Sequence, residues 1–263
     1  MFDLNIKAWE KPLNFYLNEP QARKTSEKSE RVIEMDCSRT LSDLKFFENE
    51  HNKVMLKDTM TACCNVTGIP YYQGMSHIVG NILLNGFDCE QTLFITKYLF
   101  MEVNIQSLYV NNFKSSKRLY QITKGLTSFY IPDLDFIFNE QSIEFEMHLI
   151  KWFLTFFSTE IHHSVYMNYM NWIILNGLKS MCLIALSILT LKKKSILLAN
   201  NDDDIYRLLA NNDLFTNIID LISRAESYDF PDYLFDELYQ RESWDDGEFF
   251  IDKKGKFSYK FKD

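Results

Sequence analysis

Tyr71-Tyr72-Gln73-Gly74-Met75-Ser76-His77-Ile78-Val79-Gly80-Asn81-Ile82-Leu83-Leu84, residues 71–84, decides how the rest of the chain reads. Met75, Ile78, Val79, Ile82 and Leu83 fall at i, i+3, i+4, i+7 and i+8, which is one apolar stripe of a helix. Gly86 stops it. Upstream, Gly68 and Pro70 end the preceding element, so Gln73 lies on a loop that feeds a helix N-terminus. Unpaired N–H groups and the helix dipole favour anions there. Gly74 has no side chain and leaves an exposed Gln73 room to approach a phosphate.

The same helical period recurs outward from this stretch. Lys53 to Val66 reads as a helix ending before Gly68. Leu119, Ile122, Leu126, Phe129 and Tyr130 repeat the spacing until Pro132 breaks it. Phe145, Leu149, Trp152, Phe153 and Phe156 make another stripe. Asp204 suits the N-cap of a helix over Ile205 to Asn211. Leu214, Ile218, Leu221, Ile222 and Ala225 form a late helix. Residues 18–31 are polar and read as a loop or exposed lead-in, and 243–263 as a polar tail with at most a short strand. The apolar run from Ile173 to Leu191, followed by Lys192-Lys193-Lys194, is interrupted by Asn176, Gly177, Lys179 and Ser180. Its clean part, Met181 to Leu191, is too short for a bilayer and reads as a core helix. The fold class is all-α.

Composition supports this reading. The 263 residues are 46% hydrophobic and 15% aromatic, enough for a large core, and only 8 Gly and 5 Pro disfavour a turn-rich β fold. A net charge of −8 argues against nucleic-acid binding and suits a protein partner with a basic face. Cys37, Cys63, Cys64, Cys89 and Cys182 contain no Cys-x-x-Cys pair, which points to reduced thiols in a cytoplasmic setting. Met1 to Trp9 lacks a signal-peptide core.

About one helix before Gln73 lies Ile33-Glu34-Met35-Asp36-Cys37-Ser38-Arg39-Thr40. Asp36 and Arg39 share a face on a helix or its last turn. An arginine can neutralise charge on a phosphoryl group in transfer, and a glutamine can orient the attacking water. No Gly-x-x-x-x-Gly-Lys-Ser/Thr loop accompanies them, so the nucleotide would be another protein's. Each residue also has a plainer reading. Arg39 fits an ordinary surface ion pair with Asp36, Gln73 a capping amide, and Tyr71 a core or interface ring. His162-His163 lacks partners at metal-ligand spacing, and His148 fits a helix boundary. Asp202-Asp203-Asp204 lacks the rest of a calcium loop.

Ile33, Asp36 and Arg39 match Ile-x-x-Asp-x-x-Arg, and Tyr71, Gln73 and Gly74 match Tyr-x-Gln-Gly. Together and in this order they resemble the signature of the TBC domain of Rab GTPase-activating proteins. Trp152-Phe153-Leu154-Thr155-Phe156-Phe157-Ser158 resembles the family's Trp-Phe-Leu-Thr-Leu-Phe-Ser, and Trp172 and Gly177 suit its next helix. Two departures stand out. The family's Arg-x-Trp-Asp is here Met170-Asn171-Trp172-Ile173, and a proline expected near His162 is missing.

The resemblance implies a multi-helix domain of two helical subdomains. Residues 1–29 would be a shortened lead-in and 30–242 the domain, with a finger-bearing part of about 30–130 and a second part of about 131–242. It implies activation of a Rab-type GTPase in its GTP form. Arg39 would stabilise γ-phosphoryl charge and Gln73 would place the water, supported by Asp36, Tyr71, Gly74 and Ile33. The chain itself would need no cofactor, because GTP and magnesium belong to the partner. Contact with endomembranes would come only through that partner. A non-catalytic Rab-binding module of the same fold is the alternative reading, and an unrelated helical scaffold is the third.

Overall fold

The computed structural model describes residues 27–210, 215–241, 247–252 and 256–261. Within them are twelve α-helices and one β-hairpin. The chain condenses into two compact units. The first comprises the chain up to Gln106 together with Leu154–Leu175. The second comprises Ser107–Phe153 and everything from Asn176 on.

In the first unit, α1 (Glu27–Arg39), α2 (Glu50–Thr67), α3 (Met75–Leu84) and α4 (Cys89–Met101) pack on one another. Asn49 caps α2 by accepting from the His51 N–H, and Gly68 closes it at φ 69° with its N–H on Cys64 O. Asp88 and Gln91 form a reciprocal capping box on α4. The stripe on α3 is buried as expected, and Ser76, Gly80 and Asn81 are buried with it, so α3 is enclosed on nearly every side. The expected loop over residues 18–31 needs correction. Residues 18–26 lie outside the described residues, but α1 already runs from Glu27. Exposed helical turns and loops share polar composition; the inward face of α1 appears only at Ile33, Asp36 and Cys37.

Phe156 does not extend the helix predicted from Phe145. α7 (Glu146–Leu154) ends first, and Phe156 and Phe157 take φ of 52° and 57°. That backbone region is unfavourable for a non-glycine residue. Full burial of both rings offsets it, and Tyr166 donates to Phe156 O at 3.0 Å. α8 (His163–Asn176) follows.

In the second unit, α9 (Lys179–Leu197) is buried without a break from Ser180 to Leu189. Around it pack α5 (Lys114–Tyr130), α6 (Pro132–Glu140), α10 (Asp202–Ala210) and α11 (Ile218–Glu226). Among the described residues no helix is long and apolar enough to cross a membrane. Pro132 both ends α5 and opens α6 at its first turn, where a missing N–H costs nothing. α10 begins two residues before the expected cap, and Asn201 takes the capping role by accepting from the Asp204 N–H at 2.9 Å. Asn211 and Leu214, placed at helix ends by the sequence, lie outside the described residues.

The polar tail is also corrected. β1 (Gly247–Ile251) and β2 (Phe257–Phe261) pair antiparallel, with Phe249 opposite Tyr259. Phe249 and Phe257 are buried against each other and against Phe230, while Phe250 is partly exposed. The lysines and acids around them mask this two-residue alternation. The hairpin packs on α5, and α12 (Asp232–Gln240) packs on the same helix.

A Cβ on Gly125 of α5 would lie 2.7 Å from Phe249 Cε2. Alanine improves helix propensity by about 1 kcal/mol, but overpacking a confined ring costs about 1–3 kcal/mol. Gly125→Ala is therefore expected to lower stability in urea unfolding and to speed amide exchange across 247–261. A more stable variant with unchanged exchange would contradict this packing.

Candidate functional site

All the residues singled out around Arg39 and Gln73 lie in the first unit. Ile33, Asp36 and Cys37 form the inner face of α1 at i, i+3 and i+4, and Ile33 is completely buried. That anchors the helix so that its last residue, Arg39, emerges at the C-terminal end, where the dipole favours a cation. Arg39 Nε donates to Asp36 Oδ1 at 3.0 Å, and Nη2 donates to the same oxygen. The arginine side chain is 65% exposed while the aspartate side chain is 7% exposed. Among the described residues, Nη1 of Arg39 makes no hydrogen bond.

The other oxygen of the carboxylate is engaged from the second motif. Tyr71 donates its hydroxyl to Asp36 Oδ2 at 2.7 Å. Burial raises the Tyr71 phenol well above its ordinary pKa, and the nearby Asp36 charge adds to the shift. The phenol therefore stays protonated and able to donate across the physiological range. Cys37, beside Asp36, is pushed up to about 12 chiefly by burial, so it remains an unreactive thiol.

Two residues beyond Tyr71, Gln73 is exposed, and its amide has no hydrogen-bond partner among the described residues. Gly74 then takes φ 104° as the N-cap of α3. A Cβ there would stand 3.0 Å from Leu154 O, so the chain turns hard against the Leu154 carbonyl and the Thr155 methyl. Both the turn and the close approach require glycine. The anion-binding reading of this helix start narrows, because the Met75 N–H donates to Tyr72 O and the His77 N–H to Gly74 O. What the turn presents outward is the Gln73 side chain.

Thr40 and Ser76 were missed by the sequence reading. Thr40 Oγ1 donates to Asp36 O at 2.8 Å and lies 2.8 Å from Ser76 Oγ, which is 3.2 Å from the Tyr71 hydroxyl. Thr40 directly follows one motif and Ser76 lies two residues past the other, but only their pairing within the unit distinguishes them from ordinary buried hydroxyls. The other candidates have bland settings. His162 pairs with Ser164 and stacks near His163, His148 packs beside Tyr206, and Asp204 faces Arg207. Among the described residues no cluster of metal-ligating side chains occurs. Met170 and Ile173 are completely buried in α8, an environment for apolar side chains rather than the charged pair of the resembled motif.

The family model described as Rab-GTPase-TBC domain matches residues 4–197. The Rab GTPase-activating protein eat-17 of Caenorhabditis elegans is 26% identical over 162 residues, covering 61% of this chain and 18% of that protein. The ecotropic viral integration site 5 ortholog of Drosophila melanogaster is 22% identical over 178 residues, covering 66% of this chain and 22% of that protein. The chain thus spans about a fifth of the length of these relatives. The crystal structure of the Chlamydomonas flagellar RabGAP TBC domain superimposes with a TM-score of 0.65 at 16% identity, covering 86% of this chain and 73% of that one.

Tyr71→Phe removes the donor to Asp36 Oδ2 and keeps the ring. Loss of a hydrogen bond to a charged group predicts a cost of about 1.5–3 kcal/mol, seen as a lower urea unfolding midpoint. An unchanged midpoint would show that the carboxylate does not depend on Tyr71.

Proposed function

The chain belongs to the Rab-GTPase-TBC domain family, and we propose that it accelerates GTP hydrolysis on a Rab-type small GTPase by inserting two side chains into the partner's nucleotide site. In this reading Arg39 meets charge developing on the γ-phosphoryl and leaving oxygens, and Gln73 orients the hydrolytic water. Asp36 and Tyr71 hold the two backbones together, Gly74 permits the turn, and Ile33 fixes α1. GTP and magnesium remain with the partner, and any approach to an endomembrane comes through it. The net charge of −8 favours a partner that presents a basic face.

One observation carries the reading. Two exposed, chemically suited tips leave backbone segments joined by a single buried carboxylate, Arg39 on one oxygen and Tyr71 on the other. Magnitudes support the arginine's role. Its guanidinium is exposed although the Asp36 carboxylate is not, and losing a hydrogen bond to such a charged group costs about 1.5–3 kcal/mol. An arginine finger contributes on the order of 10³ to 10⁵ in rate, about 4–7 kcal/mol. Partial release from Asp36, with Tyr71 still on the other oxygen, therefore costs less than the stabilisation gained.

Single-turnover GTP hydrolysis across a panel of Rab proteins tests this. At least one Rab is expected to be accelerated. Arg39→Ala should reduce the rate on the order of 10³-fold, Arg39→Lys should restore little because the planar fork is lost, and Gln73→Ala should slow it too. No accelerated Rab, or an Arg39→Ala variant as fast as wild type, would overturn the proposal. Rab capture that survives both alanine variants with flat hydrolysis would support a non-catalytic binding module instead.

A further inference from the structure

Behind the exposed tips, two buried hydroxyls form a second link between the same pieces of backbone. Thr40 is 2% exposed and Ser76 is 1% exposed. Thr40 directly follows Arg39, and Ser76 lies in the first turn of α3, three residues past Gln73. Their oxygens are 2.8 Å apart.

The protons can be assigned. Asp36 O accepts both the Thr40 N–H at 3.0 Å and the Thr40 O–H at 2.8 Å, so the Thr40 proton is committed to its own helix end. The Tyr71 hydroxyl is committed to the Asp36 carboxylate at 2.7 Å, an anionic and therefore stronger acceptor. Its 3.2 Å approach to Ser76 Oγ is the longer of its two contacts. Ser76 thus supplies the proton that closes the contact with Thr40. The link from α3 to α1 then runs Ser76 to Thr40 to the Asp36 carbonyl.

A single tether, Tyr71 to Asp36, lets α1 and the Gln73 turn pivot about one bond. A second tether fixes their angle. We propose that Thr40 and Ser76 are positioning residues that set the relative aim of the Arg39 and Gln73 tips, acting on the rate of hydrolysis and not on capture of the partner. This rests on the reading under Proposed function, because aim matters only if both tips meet one phosphoryl group. Misplacement by about 1 Å can cost up to about 100-fold.

The test uses single-turnover hydrolysis by an accelerated Rab, titrated with excess activator to separate maximal rate from half-saturating concentration. Thr40→Val and Ser76→Ala are each expected to lower the maximal rate about tenfold. The half-saturating concentration should stay within about twofold, since aim rather than partner capture is lost. Thr40→Ser, which keeps the hydroxyl, should restore the rate, and Thr40→Val should add no loss in an Arg39→Ala background. Ser76→Ala keeps the test open if Thr40→Val unfolds in a melting assay. Full maximal rates in both variants, no rescue by Thr40→Ser, or an equal loss without Arg39 would each overturn the inference. A wild-type chain that accelerates no Rab defeats the underlying reading and this inference with it. An Arg39-dependent rate that is indifferent to both hydroxyls defeats this inference alone.

Discussion

A carboxylate withdrawn from water organises the first unit. Asp36 is 5% exposed, and an unpaired charge at such a place would be costly. Its neighbours must therefore answer it. They come from opposite directions: Arg39 from the same helix and Tyr71 from a loop more than thirty residues on. Because one oxygen serves each motif, neither can move far without leaving a buried acceptor short of donors. That constraint brings two distant stretches of sequence to one place.

The glycine at the turn completes the constraint. Gly74 lets the chain pass against the Leu154 carbonyl and the Thr155 methyl and start α3 immediately. The side chain just before it has nowhere to go but outward. The result is a base held by buried contacts, with the Arg39 and Gln73 side chains exposed at its edge.

The sequence revealed the helical class because α3 and α5 carry clear apolar stripes, and it made a candidate site readable because arginine, glutamine and glycine have chemistry specific to their spacing. It was silent where tertiary context decides. Phe156 and Phe157 continue a helical period but adopt left-handed backbone, since burial of their rings outweighs local preference. The hairpin at 247–261 hides two core phenylalanines among charged residues. Thr40 and Ser76 are common residues whose meaning lies only in each other. Asp36 was readable as a partner for Arg39, but its second bond, to Tyr71, was not, because no periodicity links a helix to a loop 35 residues away.

Aluminium fluoride with Rab·GDP mimics the phosphoryl group in transfer, and so reports directly on whether two side chains meet a phosphate carried by another protein. Stable complex formation, followed by size-exclusion chromatography, should require fluoride and aluminium together and should be lost when Arg39 becomes alanine. Equal complex with GDP alone, or a fluoride-dependent complex indifferent to Arg39, would contradict the account.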